Sequence, residues 1–245
     1  MLLSLDNVSK TFPNGTLALD RVSFALERGE FVSLVGPSGC GKSTALRLIA
    51  GLTDPTGGKV AWSTAKPPLG FVFQDAALMP WATVAKNVRL PLDLARCDDA
   101  ETNRRLHDAL ELVGLKKFAA AYPRELSGGM RMRVSIARAL AMDASVLLMD
   151  EPFAALDELT RDRLNDELRE LWAAKKLTIV FVTHSVYESV YLSSRISTLS
   201  PRPGRVIADV AMPEPKTRDR NFRTTPLYGE RCRQIRDSLQ REAAA

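Results

Sequence analysis

No apolar run in this chain approaches the roughly 20 residues that a membrane-spanning helix needs. Runs such as Ala139-Leu140-Ala141-Met142 stop far short, so no spanning segment is expected. The N-terminus, Met1-Leu2-Leu3-Ser4-Leu5-Asp6, lacks the basic stretch and long apolar core of a secretory signal, and the expectation is a chain that stays in the cytoplasm. Cysteine is scarce. Cys40, Cys97 and Cys232 are odd in number, scattered and without metal-type spacing, which excludes a disulfide framework and fits a reducing compartment. A net charge of +5 is modest for 245 residues, and no basic patch interleaved with aromatics stands out, so a nucleic-acid partner is not expected. The 45% hydrophobic and 26% charged residues exclude a disordered chain and allow one large α/β domain or two small ones.

What is present starts with Gly36-Pro37-Ser38-Gly39-Cys40-Gly41-Lys42-Ser43-Thr44, directly after the apolar run 31–35. A Gly, four residues, then Gly-Lys-Ser between a short buried strand and a helical run at 43–50 is the pattern of a phosphate-binding loop. The glycines let several backbone N–H groups turn toward one anion, and the positive end of the following helix adds to the attraction. Lys42 then reaches the β- and γ-phosphates and the Ser43 hydroxyl ligates Mg²⁺. For Cys40, a small residue that fits and a thiol-sensitive position are both open readings.

Along the chain, residues 1–8 and 18–26 alternate as half-buried antiparallel strands around a turn at Pro13-Asn14-Gly15. Phe12, before that turn, either stacks on a base or joins the core. Further strands are expected at 59–62 and 69–73, ending at Gln74. The loop from Asp75 to Trp81 is unusually apolar, which marks either a contact surface or packing into the chain's own core. From Thr83 to about Met142 the pattern is helical, with Gly114 ending one helix and Ser127-Gly128-Gly129 preceding another, expected at 131–141. Residues 146–150 read as a buried parallel strand closing on Asp150 and Glu151, and 177–182 as a second one ending beside His184. Ligands of open α/β sheets gather at such strand ends, which points to Asp150 holding Mg²⁺ and Glu151 facing an attacking water. A long helix reaches about Lys176, strands follow at 196–199 and 205–210, and the rest is a basic extension (211–245), read as a solvated tail ending in a helix.

Taken in this order, the pieces resemble the nucleotide-binding subunit of an ATP-binding-cassette (ABC) transporter over roughly residues 1–210. The resemblance implies an α/β P-loop NTPase (RecA-like) core with an antiparallel β subdomain and a helical insert at about 83–142. Under it, Gly36 to Thr44 look like Walker A, and Asp150 closes Walker B with Glu151 as the catalytic carboxylate. Leu126 to Met130 look like the family signature, Gln74 the Q-loop, Asp157 the D-loop, His184 the switch histidine and Phe12 the adenine-stacking aromatic. Met130 departs from the commonest signature, which has Gln there. The segments Met79-Pro80-Trp81, Asp157-Glu158-Leu159-Thr160-Arg161 and Ser200-Pro201-Arg202-Pro203-Gly204-Arg205 look like the nitrate, sulfonate and taurine branch of bacterial importers.

The family implies ATP and Mg²⁺ as cofactors and a head-to-tail dimer, each ATP lying between one Walker A and the partner copy's Ser127-Gly128-Gly129. Glu151 polarises the attacking water, Gln74 contacts Mg²⁺ and that water, and His184 steadies the γ-phosphate. It also implies integral membrane permease subunits, an external solute-binding protein, and a peripheral position at the cytoplasmic face of the membrane. Two rivals within the family are a soluble ATPase acting on nucleic acid and an exporter subunit. Only 52 residues separate Gln74 from Ser127, which leaves no room for the long coiled-coil arm of the first. A small-molecule P-loop kinase gives no reason for Ser127-Gly128-Gly129.

Overall fold

The computed structural model describes residues 1–212 and 218–243; the remainder of the basic extension lies outside the described residues. The elements run β1 (Leu3–Thr11), β2 (Leu17–Leu26), β3 (Phe31–Val35), α1 (Lys42–Ala50), β4 (Gly57–Trp62), β5 (Leu69–Val72), α2 (Val84–Leu94) and α3 (Asp99–Leu112). They continue α4 (Gly128–Leu140), β6 (Val146–Asp150), α5 (Glu158–Lys175), β7 (Thr178–Thr183), α6 (Val186–Leu192), β8 (Arg195–Leu199), β9 (Val206–Ala211) and α7 (Pro226–Ala243). The chain folds as two compact units, Met1–Lys66 with Leu168–Ala245, and Pro67–Glu167, so the changeover falls inside α5.

In the first unit, β2, β1 and β4 form an antiparallel sheet in that order, with Leu3 opposite Leu26, Leu5 opposite Phe24 and Val8 opposite Val22. Alternation buries Leu3 and Leu5 opposite Leu26 and Phe24, and an irregularity at Asn7 (φ 49) brings Val8 back to the buried side, opposite Val22. The central strand of the second sheet is β3, parallel to β7 on one side and to β8 on the other, with β9 antiparallel beyond β8. All five residues of β3 and all six of β7 are buried, the signature of strands covered on both faces. Phe31 meets the Trp172 ring edge-on at 5.7 Å, and the Trp172 indole N–H donates to the Gly29 carbonyl at 3.0 Å, fixing where α5 crosses the start of β3.

Residues 218–243 are folded onto this unit; they are not a solvated tail. Tyr228, Cys232 and Ile235, at helical spacing on α7, are buried together with Phe222, and α7 packs on α6, β8 and β9. Arg218 is 7% exposed and donates to the carbonyls of Val190 (2.7 Å), Ser193 (2.8 Å), Tyr191 (3.1 Å) and Met212 (2.8 Å). In a stretch read as a solvated tail, such an arginine carries no mark of burial. Its burial is stable because the end of α6 leaves carbonyls that no intrahelical donor reaches.

The second unit pairs β5 with β6 in parallel and carries the helical insert. Thr83 and Asp98 cap α2 and α3 by accepting from Lys86 N (3.3 Å) and Glu101 N (2.9 Å). Val84, Val88 and Leu92 of α2 pack with Ala109 and Leu110 of α3 and with Val134 and Ala137 of α4, a core built from three apolar stripes. The helix expected at 131–141 begins three residues earlier, at Gly128, because the Ser127 hydroxyl accepts from Met130 N (3.3 Å) and caps it there.

Glu101 hydrogen-bonds Arg104 and Arg105, which hold its carboxyl down at about 2 against an ordinary 4.5. A folded-state pKa below the unfolded one gives stability that is complete above the unfolded value and lost as pH falls through the folded one. Urea midpoints should therefore fall between about pH 4.5 and 2, and Glu101→Gln should flatten that limb by lowering the neutral-pH midpoint toward the acid value, modestly because the pair is solvent-exposed. Arg218→Ala, which strands buried carbonyls, should cost about 3 kcal/mol in the same titration at unchanged denaturant slope.

Candidate functional site

In the first unit the phosphate loop links the end of β3 to the start of α1. Gly41 has φ 104, outside what an L residue adopts, and a Cβ there would lie 2.7 Å from the Ala18 carbonyl oxygen. Lys42 is 4% exposed, and its Nζ donates to the carbonyls of Gly36 (2.7 Å) and Pro37 (2.9 Å), so the ammonium is held inside the loop it must serve. Cys40 is buried at 1% exposure, its sulfur 3.9 Å from Lys42 Nζ, which supports the small-residue reading over the thiol-sensitive one. Ser43 and Thr44 fall in the first turn of α1, where backbone N–H groups lack intrahelical acceptors.

Two further predicted residues belong to this unit. Phe12 is half-buried, just past the end of β1, in a turn closed by Gly15 N donating to Phe12 O (2.9 Å); it is not a core residue. His184 is exposed at the end of β7. Its backbone neighbours are fixed by a short relay: Thr183 Oγ1 donates to Glu188 (2.6 Å) and accepts from Ser185 N (2.9 Å), while Ser185 caps α6 through Glu188 N (3.2 Å).

The second unit holds the acids, Gln74 and the signature. Asp150 ends β6, and Glu151 follows with φ 46, a left-handed conformation that costs a non-glycine residue about 1 kcal/mol or more. Such strain persists where surroundings over-determine it. Here Ala154 N donates to Glu151 O (3.2 Å), and Arg161 clamps the turn by donating to Phe153 O (3.3 Å) and Leu156 O (2.7 Å). The Asp157 carboxylate accepts from Thr160 N (3.0 Å) at the start of α5, which lowers its pKa. Gln74 is exposed, two residues past β5.

The loop after Gln74 is anchored by residues the sequence reading passed over. Arg138 of α4 donates to the carbonyls of Ala76 (2.9 Å) and Ala77 (2.8 Å), and burial pulls its pKa down. Fully buried Asn87 accepts from Met79 N (2.7 Å) and donates to Met79 O (3.2 Å), Ala82 O (3.1 Å) and Thr83 O (3.0 Å). Lone polar residues on amphipathic helices carry no spacing signature, so nothing in the sequence marked them.

The fold also brings the signature against the start of α5. A Cβ on Gly128 would lie 3.0 Å from Leu156 Cδ2, and one on Gly129 would lie 2.7 Å from Thr160 Cγ2. Gly129 thus serves packing within its own chain as well as leaving an open N-terminal amide.

A phosphate loop feeding an α1 N-terminus, with acids closing a buried parallel strand, defines an α/β nucleotide-binding cassette of the P-loop NTPase class. The comparisons narrow that class. A family described as "ABC transporter" matches residues 19–154, more than half of the chain. An uncharacterized ABC transporter ATP-binding protein of Methanocaldococcus jannaschii is 47% identical over 226 residues, covering 89% of this chain and 85% of the relative. An aliphatic sulfonates import ATP-binding protein of Bacillus cereus is 42% identical over 228 residues, covering 89% and 90%. Among solved structures, a dimeric ATP-binding cassette in a post-hydrolysis state bound to ADP and Pi superposes with TM-score 0.76 at 34% identity, covering 86% of this chain and 99% of that one. CbiO1 from Clostridium perfringens, part of the ABC transporter complex CbiONQ, superposes with TM-score 0.79 at 26% identity, covering 87% and 89%. The chain belongs to the ABC transporter family, and it is an ATP-binding, ATP-hydrolysing cassette of that family.

The packing role of Gly129 has a direct test. Gly129→Ala should lower the thermal midpoint through its clash with Thr160, and adding Thr160→Ser, which removes the opposing methyl, should restore most of the loss. Equal midpoints for the single and double variants would leave Gly129 with its amide alone.

Proposed function

We propose that this chain is the motor subunit of a bacterial importer for a small anionic or polar solute of the nitrate, sulfonate or taurine type. The observation that carries this reading is the 42% identity with the sulfonate-import subunit over 228 residues. In this reading two copies pack head to tail, the loop of residues 36–44 in one and Ser127, Gly128 and Gly129 of the other embracing one ATP, with Asp157 at the seam. Phe12 stacks on the adenine. Lys42 and the α1 N-terminus offset phosphate charge, Glu151 takes up proton density from the attacking water, and His184 steadies the γ-phosphate.

The side chains suit Mg²⁺: the Ser43 hydroxyl and the Gln74 amide oxygen are hard oxygen donors that would hold it, and the Asp150 carboxylate would hold it through water. Bound there, the metal would offset negative charge on the phosphates. The chain's own part is to orient the triphosphate and the water and to keep Glu151 in its left-handed turn.

No helix among the described residues is long and apolar enough to cross a membrane. The proposed site of permease docking is a groove of about 600 Å³ lined by Met79, Trp81, Ala85, Lys86, Leu90 and Leu106. Trp81 is 76% exposed beside it, and the Asn87 bonds hold the loop that presents it. With a permease there, the subunit sits at the cytoplasmic face of the membrane, and an external binding protein delivers the solute.

Glu151→Gln, purified from host membranes with ATP and Mg²⁺, should lose ATPase activity by at least about 100-fold and retain a multi-spanning permease. Recovery of nucleic acid or soluble partners alone would remove the importer reading. Trp81→Ala should keep ATP binding but weaken permease recovery and solute uptake; normal uptake would exclude the groove.

A further inference from the structure

β8 and β9 are antiparallel neighbours, and the connection between them, residues 200–205, folds against the phosphate loop. Ser200 closes this turn. Its Oγ donates to Pro203 O (2.9 Å) and accepts from Arg205 N (2.9 Å), and Ser200 N donates to Arg205 O (2.9 Å). On one side the turn is stitched to β2: Gly204 N donates to Ala18 O (2.9 Å) and Asp20 N to Gly204 O (3.0 Å). The Arg205 guanidinium adds an ion pair with Asp20, through Nη2 at 2.6 Å and Nε at 2.9 Å.

On the other side the turn meets the phosphate loop. Arg202 Nε donates to Gly39 O at 3.0 Å, and a Cβ on Gly204 would come within 2.1 Å of Cys40 O, so bare backbone lies on bare backbone. Ala18 O, which accepts from Gly204, is also the atom that a side chain on Gly41 would strike. Three segments therefore converge at one place: β2, the phosphate loop and the 200–205 turn.

A loop that turns its amides inward toward an anion turns carbonyls outward, and those carbonyls need donors. A glycine-rich loop also has much backbone freedom to lose on binding. We propose that Arg202 is a positioning residue of the ATP site: its hydrogen bond to Gly39, with the Gly204 backbone beneath Cys40, holds the phosphate loop in its anion-cradling shape before nucleotide arrives. The proposal rests on residues 36–44 being the phosphate site. A brace on the free loop acts on every state that contains the diphosphate, so it sets affinity and leaves the chemical step alone.

The test compares native protein, Arg202→Ala and Arg202→Lys by calorimetric titration with ADP–Mg²⁺ and ATP–Mg²⁺, by steady-state ATPase assay and by thermal unfolding without nucleotide. Kd for both nucleotides and KM should rise about three- to tenfold in Arg202→Ala, with kcat within about twofold of native. Arg202→Lys, which keeps the charge but lacks the planar Nε–H, should recover part of the affinity. Unchanged Kd in Arg202→Ala overturns the proposal. So does a fall in kcat that parallels a collapse of the nucleotide-free thermal midpoint, the mark of a merely structural residue. Lys42→Ala separates the two levels: native binding in that variant would refute the phosphate-loop reading itself, whatever Arg202 does.

Discussion

The fold of the loop at residues 36–44, on which the proposed handling of nucleotide rests, hinges on Gly41. Its φ of 104, with the Ala18 carbonyl where a Cβ would stand, is a conformation and a contact open only to glycine. The strand before it is buried on both faces, so the loop leaves from a fixed origin, and α1 begins at Lys42, directly after Gly41. Lys42 folds back on the carbonyls of Gly36 and Pro37, which keeps a buried ammonium solvated by the loop itself.

A second theme is the arginine that ties down loop carbonyls. Arg138 holds Ala76 and Ala77, Arg161 holds Phe153 and Leu156, Arg131 holds Leu126 (2.7 Å), Arg202 holds Gly39 and Arg218 gathers four carbonyls near the end of α6. Loops that carry function have irregular backbones whose carbonyls find no ladder partner, and a guanidinium offers several donors in one plane. The left-handed Glu151 is the clearest beneficiary: the turn that follows it is closed by Arg161, so the strained residue has no easy relaxed alternative. These arginines explain part of the positive charge without any acidic partner outside the chain.

The motifs were legible because their chemistry is local. A phosphate loop is nine consecutive residues, a helix cap is one hydroxyl three residues before an amide, and a doubly covered strand is an unbroken apolar run. The family assignment and the places of Phe12, Gln74, Glu151 and His184 at element ends followed from such signals. The reading failed where a residue's role depends on distant chain. The stretch that holds Arg218 reads as a solvated tail, α4 begins three residues before its expected start because Ser127 caps it, and the loop ending at Trp81 leaves surface and core both open.

By itself, the sequence determined the succession of strands, the phosphate loop, the acids at the end of β6 and the class of reaction, because each is written in spacing and side-chain type over a few residues; α6 has no such mark and only the fold shows it. Tertiary structure decided that residues 218–243 pack as part of the first unit, that Gly129 must clear Thr160, and that the turn at 200–205 lies on the phosphate loop. Those outcomes depend on the approach of segments up to about 160 positions apart, such as Gly39 and Arg202, and only the packed chain brings their backbones within hydrogen-bonding distance.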